Sequence, residues 1–285
     1  MTIWVTGADG QLGHYLQRCT QGKREDQYLF TNRSRLDITD ETAIRAFMEE
    51  YRPDVILNCA AYTDVERAEE EESVAYAVNA TAVGYLADAA KRYDALLIHI
   101  STDFVFMGGC CAPLTERSQP NPINAYGRSK LAGEEAIRRS GCHHITIRTA
   151  WLYGAVGRNF VRTIYERSAQ QTELRVVDDQ IGSPTYAADL ADALVQIIAA
   201  RCFKEGVYHY TNLGSCSRWE LADAVCRFAH RTTVVQPCRS EEIPTKARRP
   251  MNCVLEKRKF QATFGVEIPH WRESLKRCLD EELQA

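Results

Sequence analysis

The stretch "IWVTGADGQLGHYLQRC", residues 3–19, decides the fold of this chain. Residues 3–6 form a short apolar run typical of a buried strand, and helical periodicity begins after three glycines. Gly7 would permit the tight turn, Gly10 would let the backbone approach a phosphate, and Gly13 would let the helix pack on the strand. The stretch therefore predicts a turn that cradles a pyrophosphate, with the spacing G-x-x-G-x-x-G instead of G-x-G-x-x-G.

Strands and helices alternate beyond this turn. Apolar runs predict strands over 28–31, 54–60, 95–102 and 143–154, and helical patterns cover 40–51, 75–92 and 124–140. Alternation of this kind is typical of parallel βαβ units with right-handed crossovers. The sequence thus predicts an α/β fold with a Rossmann-type, doubly wound parallel sheet.

The pattern changes after about residue 155. Helices are predicted over 159–171, 187–202 and 218–230, with strands starting at 174 and 206, and the last 40 residues mix loops with a final helix. We expect an NADP-binding domain of residues 1–149 and 174–212, interleaved with a smaller C-terminal substrate-binding lobe of residues 150–173 and 213–285.

Composition limits the partners of the chain. A formal net charge of -3 offers no basic field for nucleic acid, and no apolar run is long enough to span a membrane. The chain opens directly into a strand pattern with no signal peptide, so we expect a cytoplasmic protein, either monomer or homodimer. Its 11 cysteines form no C-x-x-C set and are expected to be free thiols, including the adjacent Cys110 and Cys111.

The end of the second predicted strand indicates which nicotinamide cofactor is used. NAD enzymes often carry an acidic residue there for the ribose 2′-hydroxyl, but this chain has Thr31, Asn32 and Arg33. Arg33 and Arg35 would pair with a 2′-phosphate, which favours NADPH while leaving NADH open. Asp37 would face the adenine or cap the following helix.

A tyrosine and a lysine lie four positions apart in "NAYGRSKLAGEEA", residues 124–136. On a helix Tyr126 and Lys130 would share one face, although such a pair also arises by chance with the ring packed on the lysine stem. Thr102 ends the fourth predicted strand, at the sheet edge where α/β folds bind ligands. The glycine turn, the hydroxyl and the Tyr-Lys pair together predict a catalytic site.

The charge of Lys130 predicts that the pKa of Tyr126 is lowered. At about 4 Å and an effective dielectric near 20, an ammonium group contributes about 4 kcal/mol, or roughly three pKa units, to a phenol. This interaction would bring the pKa of Tyr126 near neutrality, where general acid catalysis is most efficient.

Longer motifs carry a resemblance to a known family. These motifs run in order from end to end: "GADGQLG", "RPDVILNCAAYTDVERAE", "STDFVF", "NAYGRSKLAGEE", "IRTAWLYG", "VVDDQIGSPT" and "ARRPMNCVL". Through them the chain resembles the extended short-chain dehydrogenase/reductase superfamily, and specifically its dTDP-4-dehydrorhamnose reductases.

The resemblance implies NADPH-dependent reduction of the C4 keto group of dTDP-4-dehydro-L-rhamnose to dTDP-L-rhamnose. It implies Tyr126 as proton donor, Lys130 as its partner and ribose anchor, and Thr102 as the hydroxyl that tunes the tyrosine and contacts the carbonyl. The residues that would line the cofactor are Gly7, Gly10, Gln11, Leu12, Gly13, Arg33, Asp37, Ile38, Ala61, Tyr62, Thr63, Tyr126 and Lys130. Asp103 and Trp151 would meet the sugar nucleotide, with a core aromatic as the alternative for Trp151. Gln180, Ser183, Arg249 and Pro250 also match family motifs.

The chain departs from the family pattern after Thr102. Relatives commonly have S-T-D-Y-V-F-D-G, whereas this chain has Phe104 and then "MGGCC". A 4,6-dehydratase would need a pair of carboxyl groups here, and Asp103 alone does not form one. Another sugar-nucleotide 4-ketoreductase, an epimerase and a non-catalytic NADP-binding regulatory subunit remain alternatives. Mg²⁺, which some relatives use to dimerise, is not indicated by any acidic cluster.

Overall fold

A computed structural model of the chain describes residues 1–22, 25–109 and 112–283. Cys110 and Cys111 lie outside the described residues. The strands are β1 (Thr2–Thr6), β2 (Gln27–Thr31), β3 (Val55–Asn58), β4 (Leu96–Thr102), β5 (His144–Thr149), β6 (Leu152–Tyr153), β7 (Glu173–Val177), β8 (Ile181–Gly182), β9 (Thr185–Tyr186), β10 (Gly206–His209), β11 (Cys216–Ser217) and β12 (Val234–Cys238). The α-helices are α1 (Gln11–Thr20), α2 (Glu41–Tyr51), α3 (Glu72–Tyr76), α4 (Ala82–Tyr93), α5 (Ala125–Ser140), α6 (Phe160–Ser168), α7 (Ala187–Ala199), α8 (Arg218–Phe228), α9 (Arg258–Phe264) and α10 (Trp271–Cys278).

Six strands form one parallel sheet in the order β10-β5-β4-β3-β1-β2. Side chains alternate between its two faces, so Ile3 and Val5 join the core that includes residues of α1 and α7, whereas Trp4 joins the core that includes residues of α2 and α4. Both faces are therefore covered by helices, as near-continuous apolar strands require. The predicted Rossmann-type, doubly wound sheet is confirmed.

The helix predicted over 75–92 is not continuous. A π-helical turn at Ala77–Thr81 separates α3 from α4. Within this turn Asn79 is fully buried, and its side chain bonds to the loop that follows β3. Such turns occur frequently at functional sites, and hydrophobic periodicity alone does not reveal them.

The strand predicted over 143–154 ends early. β5 stops at Thr149, and Trp151 then takes the left-handed conformation with φ of 47° before the two-residue β6. An aromatic residue in this conformation is strained, and strained residues of this kind cluster at functional sites.

The second half of the chain forms small sheets beside the main one. β7 pairs in parallel with β12, and β8 pairs with β11. β7 lies within the range predicted for the first domain, and β12 lies in the range predicted for the second, while β10 joins the main sheet. The division into two interleaved domains stays a prediction.

Four of the cysteines expected to be free thiols, Cys59, Cys202, Cys226 and Cys278, form no disulfide among the described residues. Within these ranges no helix combines the length and apolar character needed to cross a bilayer.

Candidate active site

The candidate site lies at the carboxyl edge of the sheet. The chain places β2 on one side of β1 and β3 on the other, so the strand order reverses between β1 and β3. Ligands of open α/β sheets bind in the crevice at such a switch point. The glycine turn follows β1, the loop of residues 59–63 follows β3, and Thr102 ends β4.

The glycine turn is closed to side chains on its inner surface. Gly7 has a φ of 68°, and a Cβ built on it would lie 2.7 Å from the backbone nitrogen of Ala60. A Cβ on Gly13 would lie 2.4 Å from the carbonyl oxygen of Gly7, so α1 packs directly on the turn. Gly10 is exposed and precedes α1, whose N-terminus receives no cap from the described side chains. Gln11, Leu12 and Gly13 thus begin a helix that leaves backbone N–H groups for an anion, and this cradle fits a pyrophosphate.

Asn79 holds the second predicted cofactor segment. Its Oδ1 accepts from the backbone N–H of Tyr62 at 2.9 Å, and its Nδ2 donates to the carbonyl of Tyr62 at 3.0 Å and to Ser129 Oγ at 3.0 Å. Ala61, Tyr62 and Thr63 are therefore tied to α5, the helix that carries Tyr126. Sequence reasoning missed Asn79, because its role depends on the π-helical turn.

The segment after β2 carries an ion pair. Arg33 Nε lies 3.1 Å from Asp37, and the Arg33 side chain is 88% exposed. Backbone and hydroxyl hydrogen bonds from Thr39, together with Arg33, hold the pKa of Asp37 below its usual value, against a smaller effect of burial. Asp40, not Asp37, caps α2, so the capping alternative for Asp37 is wrong. The Ile38 side chain is buried in the core beside α2 and α4.

α5 begins at Ala125 because Asn124 caps it, accepting from the backbone N–H of Gly127 at 2.7 Å. Gly127 lets the helix approach the turn after β4, since a Cβ there would lie 2.2 Å from the carbonyl oxygen of Phe104. The Phe104 ring then meets the Tyr126 ring edge to face at 5.7 Å. An apolar ring thus occupies the position where a dehydratase would need its second carboxyl group.

The predicted catalytic residues converge at this point. Tyr126 lies near the buried Thr102, whose hydroxyl acts on the pKa of the phenol. Lys130, one turn along α5, is 1% exposed and donates from Nζ to the carbonyl of Ile100 at 2.7 Å. Thr102, Tyr126 and Lys130 therefore lie around the end of β4, and their catalytic roles stay a prediction.

The expected near-neutral tyrosine is wrong. Burial raises the pKa of Tyr126 to about 12, although the nearby Thr102 hydroxyl opposes the rise. Lys130 directs its Nζ toward β4, and burial lowers its own pKa to about 8. The charge of Lys130 alone would lower the pKa of Tyr126, but removing the phenol from water raises it and has the larger effect. Tyr126 is consequently a protonated phenol at neutral pH.

A second group of polar side chains lies beside Thr102. Asp103 is 2% exposed, and burial raises its pKa to about 7 against the opposing effects of Thr102 and Arg218. The Arg218 guanidinium stacks 3.7 Å above the Trp151 ring, and burial lowers its pKa to about 9, with the charge of Arg249 adding to the effect. The Trp151 ring also packs on Gly182, where a Cβ would lie 2.7 Å from it. Asp103 and Trp151 therefore belong to one cluster, and the strained backbone of Trp151 aims its ring at Arg218.

Arg218 was missed by the sequence analysis. It is the first residue of α8, whose capping box joins Ser217 and Glu220. A cation at a helix N-terminus opposes the helix dipole, so its position just after a capping serine was a detectable signal of another role.

The remaining family matches have structural partners. Gln180 Nε2 donates to Ser240 Oγ at 3.0 Å, and Ser183 Oγ donates to the carbonyl of Gly214 at 2.7 Å. Arg249 pairs with Glu66 at 2.8 Å and so joins the cluster to the segment after β3. The described residues contain no group of three or more histidine, cysteine or carboxylate side chains that could hold a metal ion.

Comparisons with known proteins agree with this arrangement. A family model described as "RmlD substrate binding domain" matches residues 1–284. The spore coat polysaccharide biosynthesis protein SpsK of Bacillus subtilis is 38% identical, covering 99% of this chain and 98% of its own length. A dTDP-4-dehydrorhamnose reductase from Clostridium acetobutylicum has a TM-score of 0.95 at 39% identity, with both chains covered completely. The dTDP-4-dehydrorhamnose reductase of Bacillus anthracis, solved in complex with NADP, has a TM-score of 0.93 at 37% identity, covering 98% of this chain and 99% of the other.

Proposed function

Since the chain belongs to the dTDP-4-dehydrorhamnose reductase family, an NAD(P)H-dependent oxidoreductase family, we propose that it reduces the C4 keto group of dTDP-4-dehydro-L-rhamnose with NADPH. The product would be dTDP-L-rhamnose, for the synthesis of rhamnose-containing polysaccharide. The observation that carries the proposal is the convergence of Thr102, Tyr126 and Lys130 beside a glycine turn closed to side chains.

Tyr126 is the proton donor in this proposal. Its raised pKa keeps the phenol protonated at neutral pH, and the alkoxide that develops during reduction is a strong enough base to take that proton. Thr102 orients the phenol and contacts the substrate carbonyl. When bound, the nicotinamide supplies the hydride that reduces the carbonyl carbon.

The cofactor would be held mainly by backbone groups. The turn of Gly7, Gly10 and Gly13 and the first residues of α1 suit the pyrophosphate, and Ala61, Tyr62 and Thr63 suit the adjoining ribose region. Lys130 would anchor the nicotinamide ribose. Arg33 and Arg35 would recognise the 2′-phosphate, which supports NADPH over NADH.

The sugar nucleotide would meet the second cluster. The guanidinium groups of Arg218 and Arg249 suit the diphosphate, since planar, positively charged donors pair well with phosphate oxygens. Asp103 and Trp151 would contact the sugar nucleotide beside them.

The test is a reduction assay with enzymatically prepared dTDP-4-dehydro-L-rhamnose. NADPH absorbance should fall rapidly, NADH should react more slowly, and NMR should identify dTDP-L-rhamnose as the product. A 6-deoxy-L-talose product would contradict the proposed product, because hydride would then have reached the other face of the C4 carbonyl. Saturable NADPH binding without oxidation would contradict the proposed substrate and favour a non-catalytic role.

A further inference from the structure

A row of buried polar side chains lies behind Lys130. Thr6, Asn58 and His99 are paired residues on the neighbouring strands β1, β3 and β4, and each is 0% exposed. Thr6 Oγ1 lies 2.7 Å from Asn58 Oδ1, Asn58 Nδ2 lies 3.0 Å from His99 Nδ1, and His99 Nε2 lies 3.3 Å from Lys130 Nζ. The row connects the start of the glycine turn with the lysine.

The amide of Asn58 has only one satisfactory orientation. Its Oδ1 lies 3.2 Å from the backbone nitrogen of Ala60, which can only donate; that N–H is shared with Thr6 Oγ1 at 3.3 Å. Rotating the amide would set two donors against each other. Asn58 Nδ2 therefore faces His99 and donates to it.

The orientation of Asn58 determines the tautomer of His99. Because Asn58 Nδ2 donates, His99 Nδ1 must accept and cannot carry a proton. Burial, followed by the charges of Lys130 and His144, holds the pKa of His99 well below its usual value, so the ring is neutral. The single ring proton is consequently on Nε2, the nitrogen that faces Lys130.

An ammonium group suits this neighbour poorly. It has three donors and no lone pair, so Lys130 in its charged form sets an N–H against the His99 N–H. A neutral amine accepts from His99 while still donating to Ile100. Of the other groups that face Lys130, Glu134 on α5 and Cys59 after β3 favour its charge, but Arg148 and Ser101 already bond to Glu134.

We propose that Asn58 holds His99 in the Nε2–H tautomer and that this N–H, directed at Lys130 Nζ, disfavours the ammonium form of Lys130. His99 is then a positioning residue that sets the pH range in which Lys130 returns a proton to Tyr126. This role rests on the proposed reductase function. After Tyr126 has protonated the substrate oxygen, the phenolate regains a proton at the expense of the Lys130 ammonium, which is left as a neutral amine that accepts from His99.

The tautomer is testable without turnover. In protein labelled with ¹⁵N-histidine, long-range ¹H–¹⁵N spectra distinguish a protonated from an unprotonated ring nitrogen, and the His99 signals are those lost in His99→Gln. We expect a protonated Nε2 in the wild type and a protonated Nδ1 in Asn58→Asp, whose carboxylate accepts in place of the amide. A wild-type ring protonated on Nδ1, or charged at neutral pH, would overturn the proposal.

The effect on Lys130 needs a second measurement. Lysine labelled with ¹³C at Cε allows Lys130 to be titrated directly, and Asn58→Asp should raise its midpoint by roughly one pH unit. Asn58→Leu adds no charge and also frees His99 Nδ1 to carry the proton, so it should raise the midpoint by roughly half a unit or more. Thr6→Val keeps the bond from Ala60 to Asn58 and should leave tautomer and midpoint unchanged.

These outcomes separate the inference from the reductase proposal. If the Lys130 midpoint rises in Asn58→Asp but not in Asn58→Leu, the added charge is the cause and the role of the tautomer is overturned. Unchanged midpoints in both variants would overturn that role as well. If Asn58→Leu does not fold, an unswitched tautomer in Asn58→Asp still overturns the inference. Failure to reduce the keto sugar would contradict the proposed function while leaving the spectra interpretable. Where turnover is present, the alkaline limb of the kcat/KM profile should follow the Lys130 midpoint.

Discussion

The glycine turn at residues 7–13 offers backbone N–H groups from one continuous segment, whereas the cluster of Asp103, Trp151, Arg218 and Arg249 gathers side chains from four distant ones. The turn has its shape because glycines occupy positions where the Cβ of any other residue would collide with the backbone. In the cluster, burial raises the pKa of Asp103 and lowers the pKa of Arg218, because both charges are held away from water. Backbone sites thus depend on close packing, and side-chain sites depend on buried charge that lowers stability.

Tyr126 belongs to neither the glycine turn nor the cluster, so its loss should leave both regions largely intact. Tyr126→Phe is expected to lower kcat by about 10³-fold or more while the NADPH dissociation constant stays within about twofold, because only the acidic proton is removed. Steady-state kinetics and a fluorescence titration measure the two quantities. Tyr93→Phe, which loses a surface hydrogen bond to Glu49, is the control. Near-normal turnover of Tyr126→Phe would exclude the phenol as the acid.

The packing of the turn is tested by Gly13→Ala. Its Cβ would lie 2.4 Å from the Gly7 carbonyl and 2.7 Å from Ala8 Cα, so α1 must shift. We expect unfolding to become easier by about 3 kcal/mol and NADPH binding to be lost. Gly84→Ala is the matched control, because its Cβ meets only Ala136 at 3.7 Å and a helix interior favours alanine by about 0.5–1 kcal/mol. Equal urea midpoints for the two variants would contradict this account of the turn.

The buried charge of the cluster is tested by Asp103→Asn. The folded-state pKa of Asp103, about 7, lies above its ordinary value of 3.8, so ionisation weakens folding progressively as pH rises from about 4 to 7. The neutral amide should therefore stabilise the protein by roughly 4 kcal/mol at pH 8 and about 2 kcal/mol at pH 5, with lower activity. Denaturation at both pH values measures the difference. Asp88→Asn, on the exposed face of α4, serves as the comparison, and a gain independent of pH would argue against burial as the cause.

Replacing Arg218 should weaken the binding of the sugar nucleotide and leave the binding of the cofactor unchanged. Arg218→Ala is expected to raise KM for the sugar nucleotide about 30-fold, since a charge-assisted contact to phosphate is worth about 2 kcal/mol, and to leave KM for NADPH unchanged. Arg218→Lys keeps the charge but loses the planar stack on Trp151, so it should recover only part of the loss. Arg227→Ala, paired with Asp223 at the far end of α8, is the control. A parallel rise in both KM values would remove the distinction between the two regions.

The smallest effect is expected at Arg33, the exposed side chain at the cofactor end. Arg33→Ala should weaken NADPH about tenfold and leave NADH unchanged, because only NADPH carries the 2′-phosphate. Titrations with both cofactors measure this ratio, with Arg45→Ala, paired with Glu41 on α2, as control. Equal losses for both cofactors would show that Arg33 acts through the local structure.

The two regions also differ in how well sequence predicts them. The turn, the alternation of strands and helices, and the placement of Tyr126 and Lys130 one turn apart on a helix follow from local spacing, because a helix or strand converts spacing directly into geometry. Arg218 and Asn79 escaped because their roles depend on contacts between segments far apart in the chain. The pKa of Tyr126 was wrong for a related reason, since burial depends on the whole fold and not on the neighbour four residues away.

The π-helical turn at Ala77–Thr81 has a consequence for how this chain tolerates changes in length. Each helical residue turns the chain by about 100°, so deleting one residue here would allow a regular helix and rotate Asn79 relative to α4. The two hydrogen bonds to Tyr62 would then be lost, together with the fit between Asn79 and Gly133, where α5 leaves no room for a Cβ. Exposed positions of this segment can therefore vary in identity, but the number of residues between β3 and α4 is fixed by the cofactor loop.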